Sequence, residues 1–94
     1  MPKARTRYFS MLRQFIGIAA EEIEVPENST LNDFILSVVK KHEALRNVLF
    51  NKEGKLREGF AVAYNAEMIP RTKLNSRRLR DGDEVIILWS IGGG

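Results

Sequence analysis

The sequence predicts an α+β fold: a mixed sheet of about five strands with one main helix packed across one face. Three observations lead there. Polar and apolar residues alternate from Lys3 to Phe9 and from Glu22 to Val25, and bulky and small ones from Phe60 to Tyr64, the period of a half-buried strand. One stretch alone, Leu31 to Val39, carries the 3.6-residue period of an amphipathic helix. Val85 to Ile91 is apolar at every position except Ser90, as expected of a central strand covered on both faces.

In order, Lys3, Arg5 and Arg7 alternate with Ala4 and Thr6, and the period runs on through Tyr8 and Phe9. That marks a first strand with one solvated face in preference to a basic arm for nucleic acid. Met11, Leu12, Phe15 and Ile16 have helical spacing too briefly for a full helix, and Gly17 breaks it, so a wide turn is expected. Glu22 to Val25 alternates and stops at Pro26, giving a second strand, Glu-rich and at the sheet edge, paired with the first like a hairpin.

The main helix has the clearest start. Thr30 and Asp33 fit a capping box, in which each side chain satisfies the other residue's free amide. Leu31, Phe34, Ile35, Val38 and Val39 then form one apolar stripe, with Lys40 and Lys41 at the end where the dipole favours cations. His42 reads as a C-terminal charge or surface residue. Ala44 to Phe50 is expected to be an irregular turn, and Asn51 to Gly59 a solvated loop.

Phe60, Val62 and Tyr64 alternate with Ala61, Ala63 and Asn65, placing bulky side chains on one face of a third strand. Asn65 and Ala66 turn the chain, and Met68 and Ile69 make a short fourth strand ended by Pro70. Arg77, Arg78 and Arg80 form a basic cluster read as a solvated loop. Asp81-Gly82-Asp83 is a turn into the last strand.

Composition excludes several function classes. The chain has 94 residues, enough for one domain (1–94) but few for a core plus an elaborate catalytic cleft. It has no cysteine, which rules out disulfides, thiolate metal sites and cysteine nucleophiles and fits a reducing compartment. A lone histidine cannot build a multi-histidine metal site, so no metal and no bound cofactor are expected. The formal charge of +3 permits an acidic protein partner without demanding a nucleic acid. No apolar run approaches the roughly 20 residues of a membrane span, and Arg13 and Gln14 interrupt the only stretch resembling a signal peptide. A soluble, cytoplasmic, non-catalytic protein without membrane or nucleic-acid partners is expected.

Gly92, Gly93 and Gly94 follow the last strand directly. Three successive glycines are improbable from average composition. Lacking β-carbons, they make a flexible tail (92–94) that can thread a narrow channel and expose a terminal carbonyl to a reagent. Such a tail suits a carboxylate that is itself the substrate. If Val85 and Ile87 face the helix, Ile86 and Leu88 emerge on the uncovered face, where Phe9 joins them, and an apolar patch there marks a partner site. Trp89 is large enough that it must pack or contact a partner.

The order strand, strand, helix, strand, short strand, strand, with the last strand central beside the first, is the ubiquitin-like β-grasp arrangement. The sequence resembles the MoaD/ThiS sulfur-carrier family, and the MoaD type most, the small subunit of molybdopterin synthase. The resemblance rests on Tyr8-Phe9-Ser10-Met11-Leu12-Arg13 leading to Gly17, Thr30-Leu31-Asn32-Asp33, Ala63-Tyr64-Asn65, and Leu79-Arg80-Asp81-Gly82-Asp83-Glu84-Val85 leading to the glycines. It departs from the family where Trp89 and Ser90 stand in place of prolines, and in ending on three glycines.

The resemblance implies that an E1-like adenylating enzyme of MoaB/MoeB/ThiF type, using its own ATP and Mg, joins the Gly94 carboxylate to AMP. A sulfur donor then displaces AMP to leave a thiocarboxylate, which the molybdopterin synthase large subunit consumes. The tail residues are Gly92, Gly93 and Gly94, and the partner-binding residues Phe9, Ile86, Leu88 and Trp89. The alternative is a ubiquitin-like modifier whose activated Gly94 acylates lysines. A nucleic-acid module using Arg5, Arg7, Arg77, Arg78 and Arg80 lacks the aromatic platform such modules need.

Overall fold

The structure is a computed structural model and describes residues 1–89. The tail glycines, and with them the expected flexible segment, lie outside the described residues.

The elements are β1 (Lys3–Arg7), α1 (Ser10–Ile16), β2 (Ala20–Glu24), α2 (Leu31–Lys41), a 3₁₀ turn (Glu43–Leu45), α3 (Arg46–Leu49), β3 (Phe60–Tyr64), β4 (Glu67–Ile69), a second 3₁₀ turn (Arg71–Lys73) and β5 (Val85–Trp89). β1 and β2 pair antiparallel, with Lys3 opposite Glu24 and Arg5 opposite Glu22. Opposite charges across the pair explain why the basic residues of β1 form an ordinary solvated strand face. β5 pairs antiparallel with β3, which pairs with β4. The expected single sheet is two sheets, β1-β2 and β4-β3-β5, joined at one parallel bridge between Arg5 and Glu84. β5 thus lies between β3 and β1, and the first and last strands run parallel at the centre.

That junction is held by the Asp-Gly-Asp turn. The Arg5 amide donates to the Asp83 carbonyl (2.8 Å), the Gly82 amide to the Lys3 carbonyl (2.9 Å), and the Lys3 amide to Asp81 Oδ1 (2.8 Å). Gly82 has φ +88°, a conformation in which any β-carbon is strained.

α2 starts as its sequence dictates. Thr30 Oγ1 accepts from the Asp33 amide at 3.1 Å while Asp33 Oδ2 accepts from the Thr30 amide at 3.0 Å. Its stripe of Leu31, Phe34, Ile35, Val38 and Val39 is fully buried, in one core with Ala4, Tyr8, Val25, Val62, Val85 and Ile87. Five such side chains contribute roughly 1.5–3 kcal/mol each on burial.

Two expectations are corrected. Met11–Ile16 is not a wide turn but part of α1, whose Leu12 is buried in the core and whose last turn closes when the Gly17 amide (φ +87°) donates to the Arg13 carbonyl at 2.7 Å. A glycine C-cap ends a helix as well as it breaks a pattern, and tertiary burial supports a helix too short to stand alone. Residues 43–49 are likewise a 3₁₀ turn and α3, not an irregular turn, because Leu45 and Leu49 insert into the core.

Candidate functional site

β5 presents two unlike faces toward its end. Val85 and Ile87 are buried under α2, while Ile86 and Leu88 point to the other side and are half-buried. The second face is therefore not covered as a central strand's would be, although the strand is central in position. Across the sheet Ile86 pairs with Ala63 and Leu88 with Ala61, and Ala63 pairs in turn with Met68, which is 56% exposed. The alanines leave the larger side chains uncovered from the flank. This is the consequence of the large and small alternation in β3.

Phe9 extends β1 in β conformation with the parity of Arg5 and Arg7. Those two residues face Glu84 through the strand bridge and a 3.0 Å contact from Arg7 Nε to Glu84 Oε2. Phe9 thus belongs to the Ile86 and Leu88 face, and it is exposed. Met68 completes the apolar patch, and its place opposite Ala63 was not read from the sequence because a three-residue strand leaves its register open.

Trp89 belongs to the other face. Its ring meets Phe60 edge-on, with centroids 4.9 Å apart and planes at 64°. It also lies so close over Gly59 that a β-carbon there would stand 2.1 Å from its ring. The four residues expected to bind partners divide accordingly: Phe9, Ile86 and Leu88 share the open face, whereas Trp89 lies on the opposite face at the end of β5, one edge against Phe60 and about half of it exposed. Gly92, Gly93 and Gly94 lie outside the described residues.

Two polar clusters brace this platform. At the start of β5, Asp83 accepts from the Tyr64 hydroxyl (2.5 Å), the Arg80 amide (2.7 Å) and Asn65 Nδ2 (3.1 Å). Burial opposes ionisation of Asp83, but these bonds outweigh it and keep the carboxyl below its usual range. Burial, aided by the bond to Asp83, pushes the Tyr64 phenol up to about 12.

At the other end of the core, Glu21 accepts from the Tyr8 hydroxyl, Lys41 Nζ (2.6 Å) and His42 Nε2 (2.6 Å). Burial opposes the charge on Glu21 too, and the bonds from Lys41, Tyr8 and His42 overcome it to lower its pKa. Burial and Glu21 together push the Tyr8 phenol well up. His42 is thus a bridge between α2 and β2. Among the described residues no group of His, Asp and Glu side chains is arranged to hold a metal ion, and no helix is long and apolar enough to cross a membrane.

Comparison with known proteins bears on this geometry. No curated protein matches the chain. Among solved structures, small archaeal modifier protein 1 of Haloferax volcanii superposes with a TM-score of 0.86 at 24% identity, over 98% of this chain and 99% of that one. Its counterpart from Methanosarcina acetivorans gives 0.83 at 25% identity, over 100% and 98%. A putative molybdopterin converting factor, subunit 1, of Pyrococcus furiosus gives 0.77 at 26% identity, over 97% and 100%. The model of the ThiS family matches residues 6–94. The chain belongs to the ThiS family, within the MoaD/ThiS group of ubiquitin-like β-grasp sulfur carriers and modifiers.

Proposed function

We propose that this chain carries sulfur on Gly94 for molybdopterin synthesis, as the small subunit of molybdopterin synthase. The observation that supports the reading most is that the family match runs from β1 through the three glycines. β5 is paired with β3 through Trp89 and bridged to β1 at Glu84, so the chain is held in the sheet up to five residues before Gly94.

A carboxylate is a poor electrophile, so activation comes first. An E1-like partner attacks the α-phosphorus of ATP with the Gly94 carboxylate, releasing pyrophosphate and leaving an acyl adenylate. Sulfide equivalents from a donor then add to the carbonyl and expel AMP, giving the thiocarboxylate. The synthase large subunit takes the sulfur into the pterin precursor and regenerates the carboxylate with water. ATP and Mg belong to the activating enzyme, and this chain supplies the acyl group and the docking face of Phe9, Ile86, Leu88 and Met68. The catalytic residues lie in the partners.

A second reading is conjugation of the activated Gly94 to lysine amines, favoured by the likeness to two proteins named archaeal modifiers. Both readings share the adenylate. The test is ATP–pyrophosphate exchange by the adenylating enzyme with the full chain and with a chain lacking Gly93 and Gly94. The full chain supports exchange and the truncated one, still folded, does not; equal exchange by both removes Gly94 from the mechanism.

A further inference from the structure

The basic loop that the sulfur-carrier reading leaves unused borders a broad surface concavity. This open, polar hollow of about 660 Å³ is lined by the 76–80 segment together with Asn28, Tyr64, Asn65 and Asp83. The loop is read from sequence as merely solvated, yet its backbone is pinned. The Leu31 amide donates to the Arg77 carbonyl (2.9 Å), the Leu79 amide to the Ser29 carbonyl (2.9 Å), and the Arg80 amide to Asp83. Three guanidinium groups therefore project from a fixed backbone, and little ordering entropy remains to be lost when a ligand engages them.

Their charges are unequally satisfied. Arg77 lies 5.3 Å over the Tyr64 ring and 3.7 Å from Glu67. Arg78 and Arg80 are exposed and, like Arg5 and Arg13, make no side-chain hydrogen bond or ion pair among the described residues, whereas Arg7, Arg46, Arg57 and Arg71 each donate to an acceptor; the Arg80 charge is felt by Asp83, whose ionised form it favours. Asp83, also in the lining, accepts from the Tyr64 hydroxyl, the Arg80 amide and Asn65 Nδ2.

We propose that this concavity docks an acidic peptide segment of a protein partner, with Arg78 and Arg80 as its carboxylate forks. Planar guanidinium groups match carboxylates in bidentate geometry. A nucleic acid fits less well. The one aromatic ring at the site has Arg77 over its face, leaving no stacking platform. The site lies at the start of β5, about 20 Å along the strand from Trp89. The site uses none of the residues from Trp89 onward, so it does not depend on the chemistry assigned to Gly94.

The test is fluorescence anisotropy of a labelled oligo-glutamate peptide with the full chain, its double variant R78A/R80A, and R5A/R13A, which loses equal charge at exposed arginines elsewhere. The proposal expects binding by the full chain, weakened roughly fivefold or more in R78A/R80A and by less than about twofold in R5A/R13A. Equal loss in both variants means attraction by net charge alone and overturns it, as does no binding. Displacement of the peptide by inorganic phosphate at matched ionic strength would make the site a small-anion site instead. Tighter binding of oligouridylate, lost in R78A/R80A, would make it a nucleic-acid surface.

Discussion

The indole of Trp89 and the ring of Phe60 meet edge to face at 4.9 Å, directly across the β3-β5 ladder. The contact exists because residue 59 has no side chain: a β-carbon on Gly59 would fall 2.1 Å from Trp89 Cζ3. Gly59→Ala therefore swings the indole off Phe60 and loses an aromatic pair of about 0.5–1.5 kcal/mol. As Trp89 is the sole tryptophan, its fluorescence reads the change directly: emission shifts to the red and the urea midpoint falls. Unchanged emission in a folded variant would mean the ring is not seated there.

Glu21 ties Tyr8, Lys41 and His42 together with a side chain only 8% exposed. Its pKa is lowered on folding from the ordinary 4.5, so its contribution to stability is complete above that value and is lost as pH falls through the folded value. Glu21→Gln removes the charge that its three partners answer and costs about 1–3 kcal/mol at neutral pH. Urea denaturation against pH checks both statements: the wild type loses its advantage over the variant on acidification, and a constant gap would contradict the network.

Thr6 is fully buried on the inner face of β1, and its hydroxyl has no hydrogen-bond partner among the described residues. Valine has the same shape and strand preference without the polar atom. Thr6→Val is expected to raise stability by about 1 kcal/mol, seen as a higher melting temperature. A lower one would mean that the hydroxyl is bonded.

How much of this was legible varies with how local each signal is. The capping box of Thr30 and Asp33, the stripe of α2 and the alternation of β1 and β3 are short-range patterns, and each formed as read. α1 was missed because Gly17 serves equally to interrupt a helix or to cap it, and only the burial of Leu12 decides. At the candidate site, Ile86 and Leu88 were assigned to the open face by strand parity alone. The same parity puts Trp89 on the opposite face, but its packing depends on Gly59 and Phe60, thirty residues upstream, and a one-dimensional pattern does not carry that. The bonds from Tyr8 and His42 to Glu21 were invisible for the same reason.

Leu88→Lys tests the docking face. Leu88 points away from the core beside Ala61, so the extended lysine chain can reach water and stability changes by less than about 1 kcal/mol. Binding to the adenylating enzyme, measured by titration calorimetry, weakens about tenfold or more if this patch is the centre of the interface. Unfolding of the variant would contradict the face assignment, and unaltered binding the docking role.

The most direct measurement is mass spectrometry of N-terminally tagged protein recovered from its native cells, covering the free chain and any heavier covalent species. Sulfur carriage predicts a free chain in which one oxygen of the Gly94 carboxylate is replaced by sulfur, a species that alkylation converts to a stable thioester. A glycine tail found only on lysines of other proteins, with no thiocarboxylate in the free pool, would contradict it.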